Sequence, residues 1–187
     1  MNKQGKYEII LSGFGGQGIL FAGNLLALAG MYQGYNVTFL PVYGPEMRGG
    51  TCHCTVILFN REIASPLVYE PSYLIIFNLP SFLKFIPRLK SQGFALVNSD
   101  LVKKEDIENF ENLCEGKTIL WYPFNTWAEE VGAPLGLNIC ALGAFNKIFG
   151  LFSEDVFKTA LKEMLGSSKA HLFEANLTAY KKGFEEA

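Results

Sequence analysis

Short apolar runs alternate along the chain with longer segments in which apolar residues recur at helical spacing. Six runs are predicted to be strands, because each is short, rich in apolar residues and bounded by polar or turn residues. The predicted strands are, in chain order, Tyr7–Leu11, Val37–Leu40, Cys54–Phe59, Tyr73–Phe77, Phe94–Val97 and Thr118–Trp121. Several are apolar almost throughout, which is typical of strands that are covered on both faces of a sheet.

The predicted helices lie between these strands and in the C-terminal part. The first covers Ile19–Gln33, with Leu20, Leu25, Leu28 and Met31 at helical spacing, and Gly34 is expected to end it. Pro87 is expected to end or kink the second, and Ser153 is the expected N-cap of the fifth. The remaining predicted helices cover Pro80–Lys90, Ile107–Leu113, Asn138–Phe149, Ser153–Leu165 and Ala170–Phe184.

This alternation predicts the α/β class: a single-domain, Rossmann-like, mostly parallel sheet with helices on both faces and a helical C-terminal part. The third strand follows the second without a helix between them, so we expect some antiparallel pairing there. A length of 187 residues suits one domain, predicted to span residues 1–187.

Composition narrows the function classes. With 49% hydrophobic and 18% charged residues, the chain is too apolar to be disordered. A net charge of −2 argues against nucleic-acid binding. The longest apolar run, Ile19–Met31, is too short to span a membrane, and the glycine-rich segment before it interrupts any signal peptide. We therefore expect a cytoplasmic protein without membrane contact, whose sixteen Phe residues either fill the core or cover a partner.

A glycine loop between the first strand and the first helix is the first candidate site. Gly13-Phe14-Gly15-Gly16-Gln17-Gly18 fits the pattern G-x-G-x-x-G. Gly13 would allow a tight turn, Gly15 a close approach of the backbone to a phosphate, and Gly18 the packing of helix on strand. The free N–H groups at the helix start would then bind an anion. A close-packed turn without a ligand is the alternative.

Dinucleotide binding of the NAD type requires an acidic residue at the end of the second strand, to hold the ribose hydroxyl groups. Here Val37–Leu40 runs into Pro41-Val42-Tyr43 without an Asp or Glu. This absence argues against a dehydrogenase that uses NAD(P).

A second glycine-rich segment, from Tyr43 to Cys54, is the most distinctive stretch of the chain. Glu46 and Arg48 must be paired with each other or with a partner if the loop is buried, and Gly49-Gly50 would allow a close approach; a solvated loop is the alternative. A metal site at Cys52-His53-Cys54 is not expected, because alternation along a strand places His53 on the opposite face from both cysteines. Cys114 and Cys140 are isolated, so we expect neither a disulfide framework nor an iron–sulfur site.

Together these motifs resemble the gamma subunit of 2-oxoacid:ferredoxin oxidoreductases, over essentially the whole chain. The resemblance rests on the glycine loop with Gln17 and on Tyr43-Gly44-Pro45-Glu46-Met47-Arg48-Gly49-Gly50-Thr51, and it extends to Ala64-Ser65-Pro66 and Asn138-Ile139. Pro45–Gly50 looks more like the 2-oxoglutarate and 2-oxoisovalerate enzymes than the pyruvate enzymes.

The resemblance implies one subunit, inactive alone, of an enzyme that converts a 2-oxoacid and coenzyme A (CoA) to an acyl-CoA and carbon dioxide and reduces ferredoxin. It implies that alpha and beta subunits hold thiamine diphosphate with Mg²⁺, and that beta and delta subunits carry [4Fe-4S] clusters. This chain would bind none of these cofactors by itself. It would complete the assembly and help to shape the CoA pocket, and its apolar surface could form a homodimer when it is isolated.

The resemblance also divides the candidate residues into two groups, with no catalytic and no metal-binding residue. The cofactor-binding loop comprises Gly13, Gly15, Gly16, Gln17 and Gly18, with Gln17 pointing its amide toward the cofactor or a partner. The partner loop comprises Tyr43, Pro45, Glu46, Met47, Arg48, Gly49, Gly50 and Thr51, with Glu46 and Arg48 as its anchors. Whether Lys84, Arg88 or Lys90 meets a phosphate or lies on a solvated helix face stays open. The alternatives are a free-standing nucleotide-binding protein, a pyruvate-specific member and a purely structural subunit.

Overall fold

The computed structural model describes residues 5–42 and 51–187. Within these two ranges, six strands form one sheet in the order β2-β3-β1-β4-β5-β6. Their bounds are β1 Lys6–Phe14, β2 Asn36–Val42, β3 Thr51–Phe59, β4 Tyr73–Ile76, β5 Phe94–Asn98 and β6 Thr118–Tyr122. The α-helices are α1 Ile19–Tyr32, α2 Leu79–Phe85, α3 Phe110–Cys114, α4 Phe124–Glu130, α5 Leu137–Phe149, α6 Glu154–Leu165 and α7 Phe173–Glu186, and short 3-10 helices cover Ile86–Arg88, Lys104–Asp106 and Ala170–Leu172.

Parallel pairing joins β1 to β4, β4 to β5 and β5 to β6, whereas β3 runs antiparallel to both β1 and β2. The predicted class is therefore confirmed, including the antiparallel pairing at the third strand. As a result, β2 and β3 form a hairpin added to one side of a parallel sheet, with β1 at the junction.

Helices cover both faces of the sheet, as predicted. The larger core packs α1 and α4 to α7 on one face, and a second core packs α2, α3 and Ile86–Arg88 on the other. The second core contains no residue of β2 or β3. The helices on this second face therefore lie mainly over the parallel part of the sheet, and α2 also reaches the start of β3, where His53 packs against Phe85.

Three helical predictions needed correction. The helix predicted over Ile107–Leu113 begins only at Phe110, because Ile107 is extended and Asn109 is left-handed with φ 54°. Proline is involved in the other two. Pro80–Lys90 is not one helix: α2 ends at Phe85 and a 3-10 helix follows over Ile86–Arg88, because Pro87 has no N–H to continue the hydrogen-bonding pattern. The helix α4 was not predicted; it follows Pro123 directly and has 7 residues, too few to show a clear periodicity.

The buried face of α1 also differs from the predicted one. Met31 is 54% exposed, although it was expected on the apolar face with Leu25. Small residues make the closest contact with the sheet instead: a Cβ added at Gly23 would overlap Cys54 Sγ, and one added at Gly30 would lie 2.5 Å from Leu58 Cδ2. Glycines thus bring α1 against β3, and the larger side chains fill the space beside that contact. Within residues 5–42 and 51–187, no helix is both long and apolar enough to cross a membrane.

Candidate functional site

The carboxyl ends of β1 and β4 lie side by side at one edge of the sheet. After β1 the chain continues into α1 on one face, and after β4 it continues into α2 on the other face. Neighbouring parallel strands whose following helices lie on opposite faces form a switch point, where α/β folds commonly bind ligands. The glycine loop, residues 13–18, lies at this switch point, between β1 and α1.

Gly13 does not make the tight turn that was predicted for it. Gly13 lies in β1, and an added Cβ would be 2.5 Å from Gln17 Oε1 and 2.9 Å from Phe77 Cβ. The turn is made instead by Gly16, with φ 92°, and by Gly18, with φ 71°. Gly13 is therefore required for packing, and Gly16 and Gly18 for left-handed backbone conformation.

The loop exposes backbone donors. Gly15 and Gly16 are exposed, and the N–H groups of Gly15, Gly16 and Gly18 donate to no other residue within the described part of the chain. The first N–H groups of α1 lack helical acceptors as well, as at every helix start. Together they place several backbone donors near the positive end of a 14-residue helix, which suits an anion such as a phosphate.

Two side chains hold the loop in this shape. Gln17 Oε1 accepts a hydrogen bond from Phe14 N at 2.6 Å. Only the NH₂ group of this side chain is therefore left for the predicted contact with the cofactor or a partner. Asn138 Nδ2, at the start of α5, donates to Gly18 O at 3.0 Å. Asn138 was not singled out as a site residue; the available signal was a polar residue at the start of an otherwise apolar helix.

Asn138 lowers the stability of the fold at this position. It is 4% exposed, and its Oδ1 is buried without a hydrogen-bond partner among the residues that the structure describes. A buried carbonyl oxygen without a donor destabilises a fold by about 1–3 kcal/mol. The residue also lines a cavity of about 400 Å³ together with Gly18, Phe21 and Lys169.

Most of the predicted partner loop falls outside the described residues: Tyr43, Pro45, Glu46, Met47, Arg48, Gly49 and Gly50. The structure does place the two ends of this segment. Thr51 begins β3 and pairs with Phe14, and β2 ends at Val42 beside the same edge of the sheet. Thr51 Oγ1 accepts from Lys84 Nζ at 3.3 Å. Both sequence motifs are thus connected to one edge of the sheet.

The sequence left open whether the basic residues Lys84, Arg88 and Lys90 meet a phosphate or lie on a solvated helix face. In the structure all three make contacts within the chain. Arg88 Nε donates to Tyr69 O at 2.9 Å and Arg88 Nη2 to Val68 O at 3.0 Å, which holds the loop before β4. Lys90 forms an ion pair with Glu8. Burial by itself would raise the pKa of Glu8, but hydrogen bonds and charge from Lys6 and Lys90 outweigh it and hold that pKa below its ordinary value.

The cysteines do not fit a metal or cluster site. Cys52 and Cys54 face the larger core, whereas the ring of His53 packs 4.9 Å from that of Phe85 on the other face, which confirms the predicted separation. Burial raises the pKa of the Cys54 thiol to about 12, so it stays protonated at neutral pH. No group of three or more potential metal ligands occurs within residues 5–42 and 51–187.

The strand order also bears on nucleotide binding of the NAD type. In that class the acidic residue follows a parallel strand directly beside β1. Here antiparallel β3 occupies that position and separates β1 from β2. Among residues 5–42 and 51–187, the geometry that would place a carboxylate on an adenosine ribose is therefore missing from this side of β1.

Residues 8–186 match the family described as pyruvate ferredoxin/flavodoxin oxidoreductase. The chain is 34% identical to 2-oxoglutarate synthase subunit KorC of Methanocaldococcus jannaschii, over 96% of this chain and 93% of that protein. It is 31% identical to the pyruvate/ketoisovalerate oxidoreductases common subunit gamma of Pyrococcus abyssi, over 96% of both chains.

Solved structures agree with these matches. The gamma subunit of a keto/oxoacid ferredoxin oxidoreductase from Geobacter sulfurreducens superposes with a TM-score of 0.79 at 30% identity, covering 97% of this chain and 98% of that one. A 2-oxoglutarate:ferredoxin oxidoreductase from Magnetococcus marinus, solved with 2-oxoglutarate, CoA and succinyl-CoA bound, has the same fold in 31% of its chain, with a TM-score of 0.81 at 22% identity over 97% of this chain.

Proposed function

The chain belongs to the pyruvate ferredoxin/flavodoxin oxidoreductase family, and we propose from this that it is the gamma subunit of a 2-oxoacid:ferredoxin oxidoreductase. The enzyme would convert a 2-oxoacid and CoA to an acyl-CoA and carbon dioxide. Two electrons would pass to ferredoxin and one proton would be released. The observation that supports a CoA-contacting role for this chain is the glycine loop, in which the N–H groups of Gly15, Gly16 and Gly18 lie at the switch point of the sheet and donate to no residue of the described ranges.

We propose that the other cofactors are held by partner subunits. Thiamine diphosphate with Mg²⁺ would supply the carbanion chemistry on the alpha and beta subunits, and [4Fe-4S] clusters on beta and delta subunits would carry single electrons. The cysteines described above support this division, because Cys52, Cys54 and Cys140 are buried in one core and Cys114 packs against the other. The chain itself would contribute contacts in the assembly and donors to CoA phosphates.

The names of the relatives bear on the substrate. One gamma subunit is common to pyruvate and ketoisovalerate oxidoreductases, and other relatives belong to 2-oxoglutarate synthases. Similar chains thus serve different 2-oxoacids, which supports the proposal that substrate contacts lie on other subunits. We propose 2-oxoglutarate or 2-oxoisovalerate as the substrate, because the residues Pro45–Gly50 look more like those of the 2-oxoglutarate and 2-oxoisovalerate enzymes than those of the pyruvate enzymes.

Co-purification tests the proposal directly. A tag on this chain, in its native host, should recover a thiamine-diphosphate subunit and an iron–sulfur subunit, identified by mass spectrometry. The recovered complex should reduce ferredoxin only when CoA is present together with pyruvate, 2-oxoglutarate or 2-oxoisovalerate. Recovery of the chain alone, together with tight NADH binding, would instead support a free-standing nucleotide-binding protein.

Gly15 offers a charge test of the loop. It is exposed and is not among the positive-φ glycines, so both Gly15→Asp and Gly15→Asn are compatible with its backbone. The two side chains have nearly the same shape, but only Asp places a negative charge beside the expected phosphate. In the complex we expect the KM for CoA to rise about tenfold more in Gly15→Asp than in Gly15→Asn, equivalent to about 1.4 kcal/mol.

Because the effect is electrostatic, the difference should shrink as salt is added. The KM for the 2-oxoacid, measured in the same assays, is the internal control and should stay equal in the two variants. Equal KM values for CoA in the two variants would show that the loop does not contact CoA.

A further inference from the structure

Asn138 links the glycine loop to the helical core across 120 residues of sequence. Its side chain is nearly fully buried, and the α5 residues around it, Leu137, Ile139 and Cys140, belong to the larger core. The helix α5 in turn lies in backbone contact with α7, since a Cβ added at Gly143 would overlap Tyr180 O. The Asn138 amide is therefore held by a rigid element.

The contact made by Asn138 requires a glycine at position 18. Gly18 O accepts from Asn138 Nδ2 at 3.0 Å and also from Ala22 N at 2.9 Å, as the N-cap of α1. A Cβ added at Gly18 would overlap Asn138 Nδ2, so the amide occupies the space that a side chain at 18 would need. This arrangement fixes the left-handed Gly18 and, with it, the direction of the N–H groups that begin α1.

The unpaired oxygen of Asn138 shows that packing is not the reason for this residue. An apolar residue of the same size, such as Leu, would fill the space without burying an acceptor that has no donor among the described residues. The Nδ2 donor is the part of the side chain that is used. A requirement for that donor explains why the position holds an amide.

We propose that Asn138 is a positioning residue for the glycine loop: its Nδ2 holds Gly18 O so that the loop N–H groups are preorganised for the phosphates of CoA. This inference rests on the proposed function of the loop. It assigns Asn138 no contact with the reacting atoms. Preorganised donors bind an anion without first having to order a flexible loop, so loss of the anchor weakens binding of CoA and leaves the chemical step unchanged.

The first test is Asn138→Leu in the reconstituted complex. We expect the KM for CoA to rise about tenfold, or 1.4 kcal/mol, while kcat at saturating CoA and the KM for the 2-oxoacid stay within twofold. Asn176→Leu is the matched control. Asn176 lines the same cavity, but its Nδ2 donates to Leu172 O, one turn earlier in the chain, and does not contact the loop.

The second test keeps the shape of the side chain and makes its donor depend on pH. In Asn138→Asp, the protonated carboxyl can donate to Gly18 O, whereas the carboxylate repels that oxygen. Burial raises the pKa of such a group, and Lys169, the one charged residue lining the adjoining cavity in the described chain, partly opposes the rise. The KM for CoA of this variant should therefore fall toward the wild-type value as pH decreases, relative to Asn138→Leu measured at the same pH.

The outcomes separate the two proposals. If Gly15→Asp and Gly15→Asn differ but Asn138→Leu matches Asn176→Leu, the loop contacts CoA and the positioning role is wrong. A fall in kcat together with a higher KM for both substrates would show a general structural role and would also overturn it. If Asn138→Leu does not assemble, the pH dependence of Asn138→Asp decides, because it is measured within one sample; a KM ratio to wild type that does not change with pH would refute the proposal.

Discussion

At the scale of single residues, glycines lie where the backbones of two helices are in direct contact. Gly143 in α5 and Gly183 in α7 face each other's helix: an added Cβ would overlap Tyr180 O in the first case and Cys140 O in the second. An isolated glycine inside a helical pattern destabilises the helix by about 1 kcal/mol relative to alanine. The close contact between α5 and α7 compensates for this loss and holds α5, with Asn138, at a fixed distance from α7.

Gly143→Ala tests this contact. We expect a loss of about 3 kcal/mol in the free energy of unfolding, because the methyl group would overlap backbone atoms that cannot move aside as a side chain can. Gly132→Ala is the control: its φ of 69° strains an alanine, but nothing lies within 4 Å of the added Cβ, so a loss of about 1 kcal/mol is expected. Urea unfolding measures both, and equal losses would contradict the backbone contact.

At the scale of elements, the polar ends of strands hold neighbouring segments in register. Glu8, near the start of β1, pairs with Lys6 in its own strand and with Lys90, which follows the 3-10 helix after α2. At the opposite edge, Asp100 Oδ2 accepts from Asn125 N at 2.8 Å and from Thr126 N at 3.0 Å, which joins the loop after β5 to the start of α4. These contacts connect elements that are distant in sequence.

The pair formed by Glu8 predicts a pH dependence of stability. Its pKa is lowered in the folded state relative to 4.5, so the ionised form stabilises the fold above that pH, and the contribution is lost as pH falls through the folded-state pKa. Glu8→Gln should therefore lower the urea midpoint at pH 7 and have little effect at pH 3. Glu70→Gln, in the exposed loop before β4, is the control. A deficit of Glu8→Gln that is as large at pH 3 as at pH 7 would contradict this assignment.

At the scale of the whole molecule, the two faces of the sheet are covered unequally. Large apolar side chains are exposed on both sides. Near the less covered face, Leu67 and Tyr69, in the loop that Arg88 holds, are 56% and 75% exposed, and Leu83 on α2 is 47% exposed, whereas Leu135, beside the larger core, is 90% exposed. Sequence analysis left open whether the apolar surplus fills the core or covers a partner. The structure shows a filled core together with exposed apolar groups, as expected of a subunit.

This surface predicts how the chain behaves without partners. We expect the isolated chain to self-associate reversibly, and Tyr69→Lys to raise the dissociation constant about tenfold by placing a charge in the contact. Leu101→Lys, at a 45% exposed position after β5, is the control and should behave as the wild type does. Sedimentation over a range of concentrations measures both; a wild-type chain that stays monomeric throughout would contradict the prediction.

Sequence predicted most of the fold because the strands are apolar runs with clear boundaries, and because Gly34 and Ser153 end and begin helices as expected. It predicted the position of the glycine loop but not the packing role of Gly13, since whether this glycine turns or packs depends on Phe77, which follows β4 and is distant in sequence. Asn138 was not predicted for the same reason. Its hydrogen bond to Gly18 exists only after α5 has packed beside α1.

The position of β1 in the sheet has a consequence for synthesis on the ribosome. The first strand and the first helix emerge early, but β1 pairs with β3 and β4 and has no hydrogen bond to β2. A nascent chain that stops before Phe59 therefore has no complete partner for its first strand, and the apolar residues Ile9 to Leu11 stay without sheet contacts until β3 has been translated. Slow translation between residues 14 and 51 would prolong this interval, in which the growing chain depends most on chaperones.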